Sequence, residues 1–257
     1  MTVVHSGCRP VQIKIAVDDL ASSVAFYRDA FGLDYQAARR TQQYESSAFV
    51  FGEYGRDDFF LLWLLDDASR PDRPGTSNLS LLVDDVDAVH ARALAAGATE
   101  VVPLHDAEGM PRSSGVRDPS GNWIGLAQDW AGVSGCRPVQ VKLAVDDVPS
   151  SVAFYQQAFG LTYEVARRTE RHDSSAFVFG EYGHDDFFLL WLIDATDRVD
   201  RPGRSNFSLL VDDVDGVHTR ALAAGATEVV APHDAEGMPR SSGVRDPSGN
   251  WVGLAQA

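Results

Sequence analysis

An internal duplication constrains this chain more than any other feature. The segment GCRPVQIKIAVDD, which begins at Gly7, returns as GCRPVQVKLAVDD at Gly135, a shift of 128 residues. The shift holds without insertion as far as Gln128 and Gln256, and 26 of the 122 aligned positions differ. A repeat of this length indicates a duplicated domain, because the repeats of solenoid proteins are only about 20–50 residues long.

The duplication predicts two similar domains, at residues 7–128 and 135–256, joined by a short linker at 129–134. Two like domains so closely connected are expected to pack about a pseudo-two-fold axis, as the two chains of a homodimer do. We therefore expect the chain to behave as a monomer that is an intramolecular pseudo-dimer.

Each copy itself contains two similar parts. In the first part, alternating apolar residues predict a strand, a helical period follows, and three more strand-like runs come after it. These elements fall at residues 11–17, 22–31, 35–41, 47–52 and 59–65. Gly32 follows the predicted helix and is a suitable C-terminal stop.

The same order restarts near residue 78. It comprises a strand, a helix and three strands at residues 79–83, 86–96, 100–103, 113–117 and 123–128. Asp118-Pro119-Ser120-Gly121 fits a type I turn between the last two strands. The sequence therefore predicts an α+β protein with four β-α-β-β-β modules.

Composition narrows the class of partner. The chain is 44% hydrophobic, enough for a full core, and carries 22 Lys and Arg against 37 Asp and Glu, a net charge of −15. This charge opposes binding to nucleic acid or to anionic membranes and favours a cationic or neutral small molecule. No basic-then-apolar leader opens the sequence, so we expect a cytoplasmic protein.

The motifs VDDLASSVAFYRDAFGL, LLVDDVDAVHARALAAGA and RDPSGNWIGL resemble the vicinal oxygen chelate superfamily. That superfamily includes glyoxalase I, fosfomycin-resistance enzymes, extradiol dioxygenases and bleomycin-resistance binding proteins. The resemblance covers nearly the whole chain and implies curved sheets that form clefts. In relatives, a cleft is often built from the first module of one half and the second module of the other.

The resemblance also implies where metal ligands would lie. The positions that hold histidine or carboxylate in metal-binding members fall on Gln12, Gln140, Asn78, Asn206, Gly125, Gly253, Trp63 and Trp191. Amide oxygens can join a Ca²⁺ or Mg²⁺ site but do not by themselves hold Zn²⁺, Fe²⁺ or Mn²⁺ tightly. We therefore expect neither a metal nor another cofactor.

The residues at these positions instead suggest the floor of a binding cleft. A tryptophan beside amide side chains gives a flat apolar wall with a few orienting polar groups. Alternatively, the tryptophans are ordinary core residues. Lysines two residues beyond Gln12 and Gln140 either anchor an anionic group or pair with carboxylates. The ligand-binding candidates are Gln12, Lys14, Trp63, Asn78, Trp123, Gln140, Lys142, Trp191, Asn206 and Trp251.

Two pairs of histidines recur in both copies. His105 and His233 are predicted to lie in a loop rich in Asp, Glu and Gly, where they are weak candidates for a catalytic base. A plain polar turn is the alternative. His90 and His218 are predicted to lie on the solvated faces of helices.

Together these features favour a metal-independent binding protein of the bleomycin-resistance type. It would sequester a planar cationic or neutral ligand. The alternative is a glyoxalase-like or dioxygenase-like enzyme, a lyase, isomerase or oxygenase, that uses displaced ligands or a loop histidine as base. Whether the chain catalyses a reaction is open at this point.

Overall fold

The computed structural model describes most of the chain. The described residues are 8–33, 35–41, 44–52, 59–65, 77–106, 111–128, 137–161, 163–169, 172–180, 187–194, 206–235 and 239–256.

The first copy folds into the two predicted modules. Its elements are β1 (Cys8–Ala16), α1 (Leu20–Phe31), β2 (Tyr35–Thr41), β3 (Tyr44–Phe51), β4 (Phe60–Leu65), β5 (Asn78–Val83), α2 (Val86–Ala95), β6 (Thr99–His105), β7 (Ser113–Arg117) and β8 (Trp123–Gln128). The order β-α-β-β-β occurs twice, as the sequence predicts.

The second copy repeats this order. Its elements are β9 (Arg137–Val145), α3 (Val148–Phe159), β10 (Tyr163–Thr169), β11 (His172–Phe179), β12 (Phe188–Asp194), β13 (Asn206–Val211), α4 (Val214–Ala223), β14 (Thr227–His233), β15 (Ser241–Arg245) and β16 (Trp251–Gln256). None of the four described helices has the length and apolar character that a membrane span requires.

Local capping explains the bounds of helix α1. The side chain of Asp19 accepts a hydrogen bond from the backbone N–H of Ser22 at 2.7 Å, so the helix begins at Leu20, two residues before the predicted start. The predicted stop at Gly32 is confirmed. This residue has φ of 68°, a left-handed conformation that favours glycine.

The two sheets each combine modules from both copies. One eight-stranded sheet has the order β14-β15-β16-β13-β1-β4-β3-β2, and the other has the order β10-β11-β12-β9-β5-β8-β7-β6. Strand β1 pairs with β13 in antiparallel orientation, and β9 pairs with β5 in the same way. The first module of each copy is therefore joined to the second module of the other copy, with the predicted pseudo-two-fold relation.

The helices cover one face of each sheet and enclose a core that runs through all four modules. Ile13 and Ile15 of β1 and Leu209 of β13 are almost fully buried in this core. The rings of Phe60 and Phe188, one from each copy, stack with their centroids 4.9 Å apart. Packing as well as strand pairing therefore joins the two copies.

The predicted turn ties the two modules of one copy together. The N–H of Gly121 donates to the carbonyl of Asp118 at 2.9 Å, which confirms the turn. The amide nitrogen of Asn122 donates to the carbonyl of Ala16 at 2.9 Å, and the hydroxyl of Tyr27 donates to Asp118 at 2.9 Å. Burial raises the pKa of the Asp118 carboxyl, against the effect of its hydrogen bonds with Asn122 and Tyr27.

Replacing Asn122 with Ala should lower the free energy of unfolding by about 1–3 kcal/mol, because the buried Ala16 carbonyl loses the donor of this side chain and the Asp118 carboxylate loses one of its donors. Chemical denaturation measures this change. Asn250 makes the same contacts in the second copy, so Asn250→Ala is the matched variant and should lose a similar amount. Two variants with wild-type stability would show that the turn does not hold the modules together.

Candidate functional site

The polar candidates lie on the sheet face that points away from the helices. In β1, Gln12 and Lys14 alternate with Ile13 and Ile15. The isoleucines enter the core beneath the helices, so the other two side chains point to the opposite face. This face carries two rows of residues that cross the strands.

The first row is polar at its centre. Gln12 of β1 lies beside Leu61 of β4 on one side and opposite Ser208 of β13 on the other. Ser208 in turn lies beside Gly253 of β16, which is paired with Gly243 of β15. We call these five residues the amide row.

The second row is built from tryptophan and basic residues. Lys14 lies beside Trp63, Asn206 lies beside Trp251, and Trp251 is paired with Arg245. The register that sets Gln12 opposite Ser208 also sets Lys14 opposite Asn206. We call these five residues, Trp63, Lys14, Asn206, Trp251 and Arg245, the tryptophan row.

Two glycines provide space on this face, Gly243 for the Trp251 indole and Gly253 for the Ser208 side chain. A Cβ at Gly243 would lie 2.7 Å from Cζ2 of Trp251, closer than real contacts allow. A Cβ at Gly253 would lie 2.6 Å from Oγ of Ser208 and 3.5 Å from Nε1 of Trp251. The ring therefore leans over the bare backbone of Gly243, and its Nε1 borders the position beside Gly253 that the Ser208 hydroxyl also borders.

The tryptophan rings are held between cations. The ammonium of Lys14 lies 5.6 Å from the centre of the Trp63 ring and 5.8 Å from that of Trp251. The guanidinium of Arg245 lies 5.8 Å from the Trp251 ring. These distances are within the range of cation–π attraction, so the row places two basic side chains beside its rings.

The centre of the face is buried although it is polar. Gln12 is 6% exposed, Ser208 is 6% exposed and Asn206 is 5% exposed, whereas the tryptophans are half-buried. Among the described residues, Nε2 of Gln12 and Nε1 of Trp251 are buried and have no hydrogen-bond partner. Buried polar atoms normally have one, so these two donors mark the place where a bound molecule would supply it.

The other sheet carries the same arrangement, with the roles of the copies exchanged. Its amide row is Leu189, Gln140, Ser80, Gly125 and Gly115, and its tryptophan row is Trp191, Lys142, Asn78, Trp123 and Arg117. Every residue is identical to its counterpart. Lys142 lies 5.3 Å from the Trp191 ring and 5.8 Å from the Trp123 ring.

The structure thus brings all ten ligand-binding candidates together, five on each sheet. Sequence reasoning missed Ser208, Gly243 and Arg245, together with their counterparts in the other sheet. A signal was present for Ser208, because it lies two residues after Asn206 on the same strand face. The other two lie on β15, which nothing in the sequence connects to β1.

His105 and His233 were predicted to lie in a loop, and this is wrong. His105 is the last residue of β6, where it lies opposite Ser113, and His233 ends β14 in the same way. The strand runs past Pro103 because β6 is an edge strand, where a missing N–H is tolerated. The exposed His105 ring contacts the Pro103 carbonyl at 3.0 Å, away from the two rows at the sheet centre.

The prediction that His90 and His218 face solvent is also wrong. They are 4% and 3% exposed. Nδ1 of His90 lies 2.9 Å from the Ser114 hydroxyl, and Nε2 lies 2.8 Å from Glu100. The helix turns this polar side chain toward the sheet because β6 and β7 supply partners for both ring nitrogens.

The face is a poor fit for a catalytic divalent metal. The groups at its centre that could bind a metal are the Gln12 amide, the Ser208 hydroxyl and the Asn206 amide. Neither row contains an imidazole or a carboxylate. The Lys14 ammonium stands in the same row as Asn206 and would repel a cation. In the described part of the chain, no three His, Cys, Asp or Glu residues cluster in a way that would hold a metal.

Known proteins share this architecture. Glyoxalase I from Zea mays superposes with a TM-score of 0.76 over 97% of this chain and 92% of that one, at 18% sequence identity, which shows a common fold. Proteins of Mycobacterium bovis and Mycobacterium tuberculosis named "Putative glyoxylase CFP32" are 27% identical over 189 residues, 68% of this chain and 67% of theirs.

A family profile decides the relationship. The profile of the Glyoxalase/Bleomycin resistance protein/Dioxygenase superfamily matches the chain twice, at residues 9–126 and again at 137–254. Each match spans both modules of one copy. The chain therefore belongs to the Glyoxalase/Bleomycin resistance protein/Dioxygenase superfamily.

Proposed function

We propose that this protein binds a planar small molecule, without a metal, at two equivalent sites. The observation that supports the proposal is the pair of rows on each sheet, where half-buried tryptophans flank buried amides. Flat apolar walls with a few buried polar groups are typical of small-molecule sites. Bleomycin-resistance proteins belong to the same superfamily, which supports sequestration of a ligand as the proposed role.

An apolar patch continues the face beyond the tryptophan row and would cover one edge of the ligand. In the first sheet it contains Ala48, Phe59 and Leu61, with Val50 packed against them. Trp63 is paired with Ala48 in this region. A ring system placed against Trp63 would thus be in contact with apolar groups along the neighbouring strands.

The charges near the rings disfavour a cationic planar ligand. Lys14 and Arg245 already lie over the indoles of this site. A cationic ligand would be repelled by these like charges at short range. The overall charge of −15 has less influence, because salt screens charges that lie farther from the site.

We also propose that the chain works as a monomer. The strand pairing β1–β13 and β5–β9 lies within one chain, so both sheets are complete without a second copy. We propose that it binds neither nucleic acid nor a membrane.

An enzymatic role is the second candidate, since the relatives include proteins named glyoxalase and glyoxylase. The exposed imidazoles of His105 and His233 are its weak candidates for a base. Incubating the protein with each ligand that it binds, followed by mass spectrometry, separates the candidates. A product that forms with turnover would favour the enzyme, and recovery of unchanged ligand favours the binding protein.

A screen by tryptophan fluorescence tests the proposal. Four of the five tryptophans lie in the two tryptophan rows, one row on each sheet, so a planar ligand should quench the emission. Calorimetry should then count two sites per chain. Absence of quenching by any planar compound of a broad library would contradict the proposed function.

Replacing Trp63 with Ala should weaken one of the two sites roughly tenfold or more, because the ligand loses ring stacking as well as buried area. Trp191→Ala is the matched variant and should affect only the other site. Calorimetry with a ligand from the screen measures both. If both variants bind like the wild type but unfold at a lower temperature, the tryptophans are core residues and the site assignment is wrong.

The purified protein should contain no tightly bound transition metal, since neutral amide and hydroxyl oxygens do not hold Zn²⁺, Fe²⁺ or Mn²⁺ tightly. Elemental analysis after incubation with each metal and gel filtration measures this. A metal-dependent glyoxalase treated in parallel is the control. Retention of one or two metal ions per chain would contradict the proposal and favour the enzymatic alternative.

A further inference from the structure

We propose that each site binds the carboxylate of a planar acid, at a cluster of hydrogen-bond donors beneath the tryptophan row. The inference rests on the proposed function and specifies its ligand class. In the first sheet, the cluster consists of Nε2 of Gln12, Nε1 of Trp251 and the hydroxyl of Ser208. Gln140, Trp123 and Ser80 form its counterpart in the other sheet.

Each site contains two buried donor atoms that have no hydrogen-bond partner among the described residues. These atoms are Nε2 of Gln12 and Nε1 of Trp251 in the first sheet, and the same atoms of Gln140 and Trp123 in the other. An indole N–H can only donate, so its partner must be an acceptor. A buried donor left without a partner costs free energy, which a ligand oxygen placed there would recover.

The missing side chain of Gly253 gives such an oxygen its place. A Cβ there would lie 2.6 Å from Oγ of Ser208 and 3.5 Å from Nε1 of Trp251, so both groups border the same small volume. Gln12 lies opposite Ser208 in the adjacent strand, on its other side. Three potential donors therefore lie on three neighbouring strands of one sheet face.

The local charge selects an anion. Lys14 lies between the two tryptophan rings, Arg245 lies over one of them, and neither row contains an acidic residue. The two oxygens of a carboxylate can accept about four hydrogen bonds, which matches a site rich in donors. Hydrogen bonds to a charged group are also about twice as strong as those between neutral groups.

The position of the donors relative to the tryptophan rings indicates that the ligand is planar. The Trp251 indole places its N–H at the cluster while its ring belongs to the tryptophan row. A carboxylate that accepts from this N–H therefore carries its own carbon skeleton out along the row, toward Trp63 and the apolar patch. An aromatic or conjugated acid satisfies both parts of the site.

Three matched probes test this inference in the full-length protein: 2-naphthoate, 2-naphthamide and 2-naphthylmethylammonium. The indole N–H signals of Trp251 and Trp123 are followed by nitrogen-15 NMR during titration to about 10 mM of each probe, a range that detects millimolar affinity. We expect 2-naphthoate to move both signals downfield and to bind about tenfold more tightly than the amide, with the ammonium weakest.

An isosteric reversal at Gln12 provides the second measurement. Gln12→Glu replaces a donor with a negative acceptor of nearly the same shape, so the first site should lose at least about tenfold in affinity for 2-naphthoate and gain affinity for the ammonium probe. The site of Gln140 is unchanged and serves as the internal control. Thermal unfolding verifies that the Gln12→Glu variant is folded. If it is not, Gln12→Leu is used in its place, although its side chain cannot attract a cation.

The outcomes separate the inference from the proposed function. A probe series in which the amide or the ammonium binds as tightly as 2-naphthoate, or a Gln12→Glu variant that keeps wild-type affinity for 2-naphthoate, overturns the carboxylate site and leaves planar binding in place. If none of the three probes moves either indole signal, the carboxylate site is overturned as well, and the fluorescence screen then decides the proposed function separately.

Discussion

The antiparallel pairing of β1 with β13, and of β9 with β5, is the interaction on which the rest of the structure depends. Without it, the four-stranded sheet of each module would expose an unpaired strand edge, which is prone to aggregate. With it, two half-sheets become one, and residues of different copies become neighbours. Gln12 and Ser208 are 196 positions apart in the sequence, and this strand pairing makes them neighbours.

The duplication and the local periodicity predicted most of the fold. The bounds of β2, β7 and β8 agree with the sequence prediction, because each of these strands has a clear alternation or a marked turn beside it. The predicted stop of α1 at Gly32 is confirmed for a local reason, the left-handed backbone that glycine accepts. The error at His90 arose because Ser114, 24 positions further along the chain, helps to decide its environment. The error at His105 arose because β6 is an edge strand and continues past Pro103.

The site shows the same division. Sequence comparison with metal-binding relatives pointed to Gln12, Trp63 and Asn206, because each occupies a position known from the family pattern. It did not identify Arg245 or the role of the glycines, since these depend on how the Trp251 ring leans across the neighbouring strands. Such a packing choice depends on several strands at once and leaves no periodic signal in the sequence.

The bare backbone at Gly253 helps to give this sheet face its donors. A Cβ there would lie 2.6 Å from Oγ of Ser208, so the absence of a side chain admits this hydroxyl. The two rows carry hydrogen-bond donors and basic side chains, and neither contains an imidazole or a carboxylate. The chain thus has the fold of the superfamily with a sheet face whose side chains are a poor fit for a cation.

Counting ligand sites in two double variants tests most directly whether each site is shared between the copies. Gln12→Leu with Trp251→Phe alters both copies but only one sheet, whereas Gln12→Leu with Trp123→Phe alters one copy and both sheets. Calorimetry with a ligand from the screen should find one intact site in the first variant and none in the second. The opposite result, with none in the first and one in the second, would show that each copy builds its own site and would contradict the account.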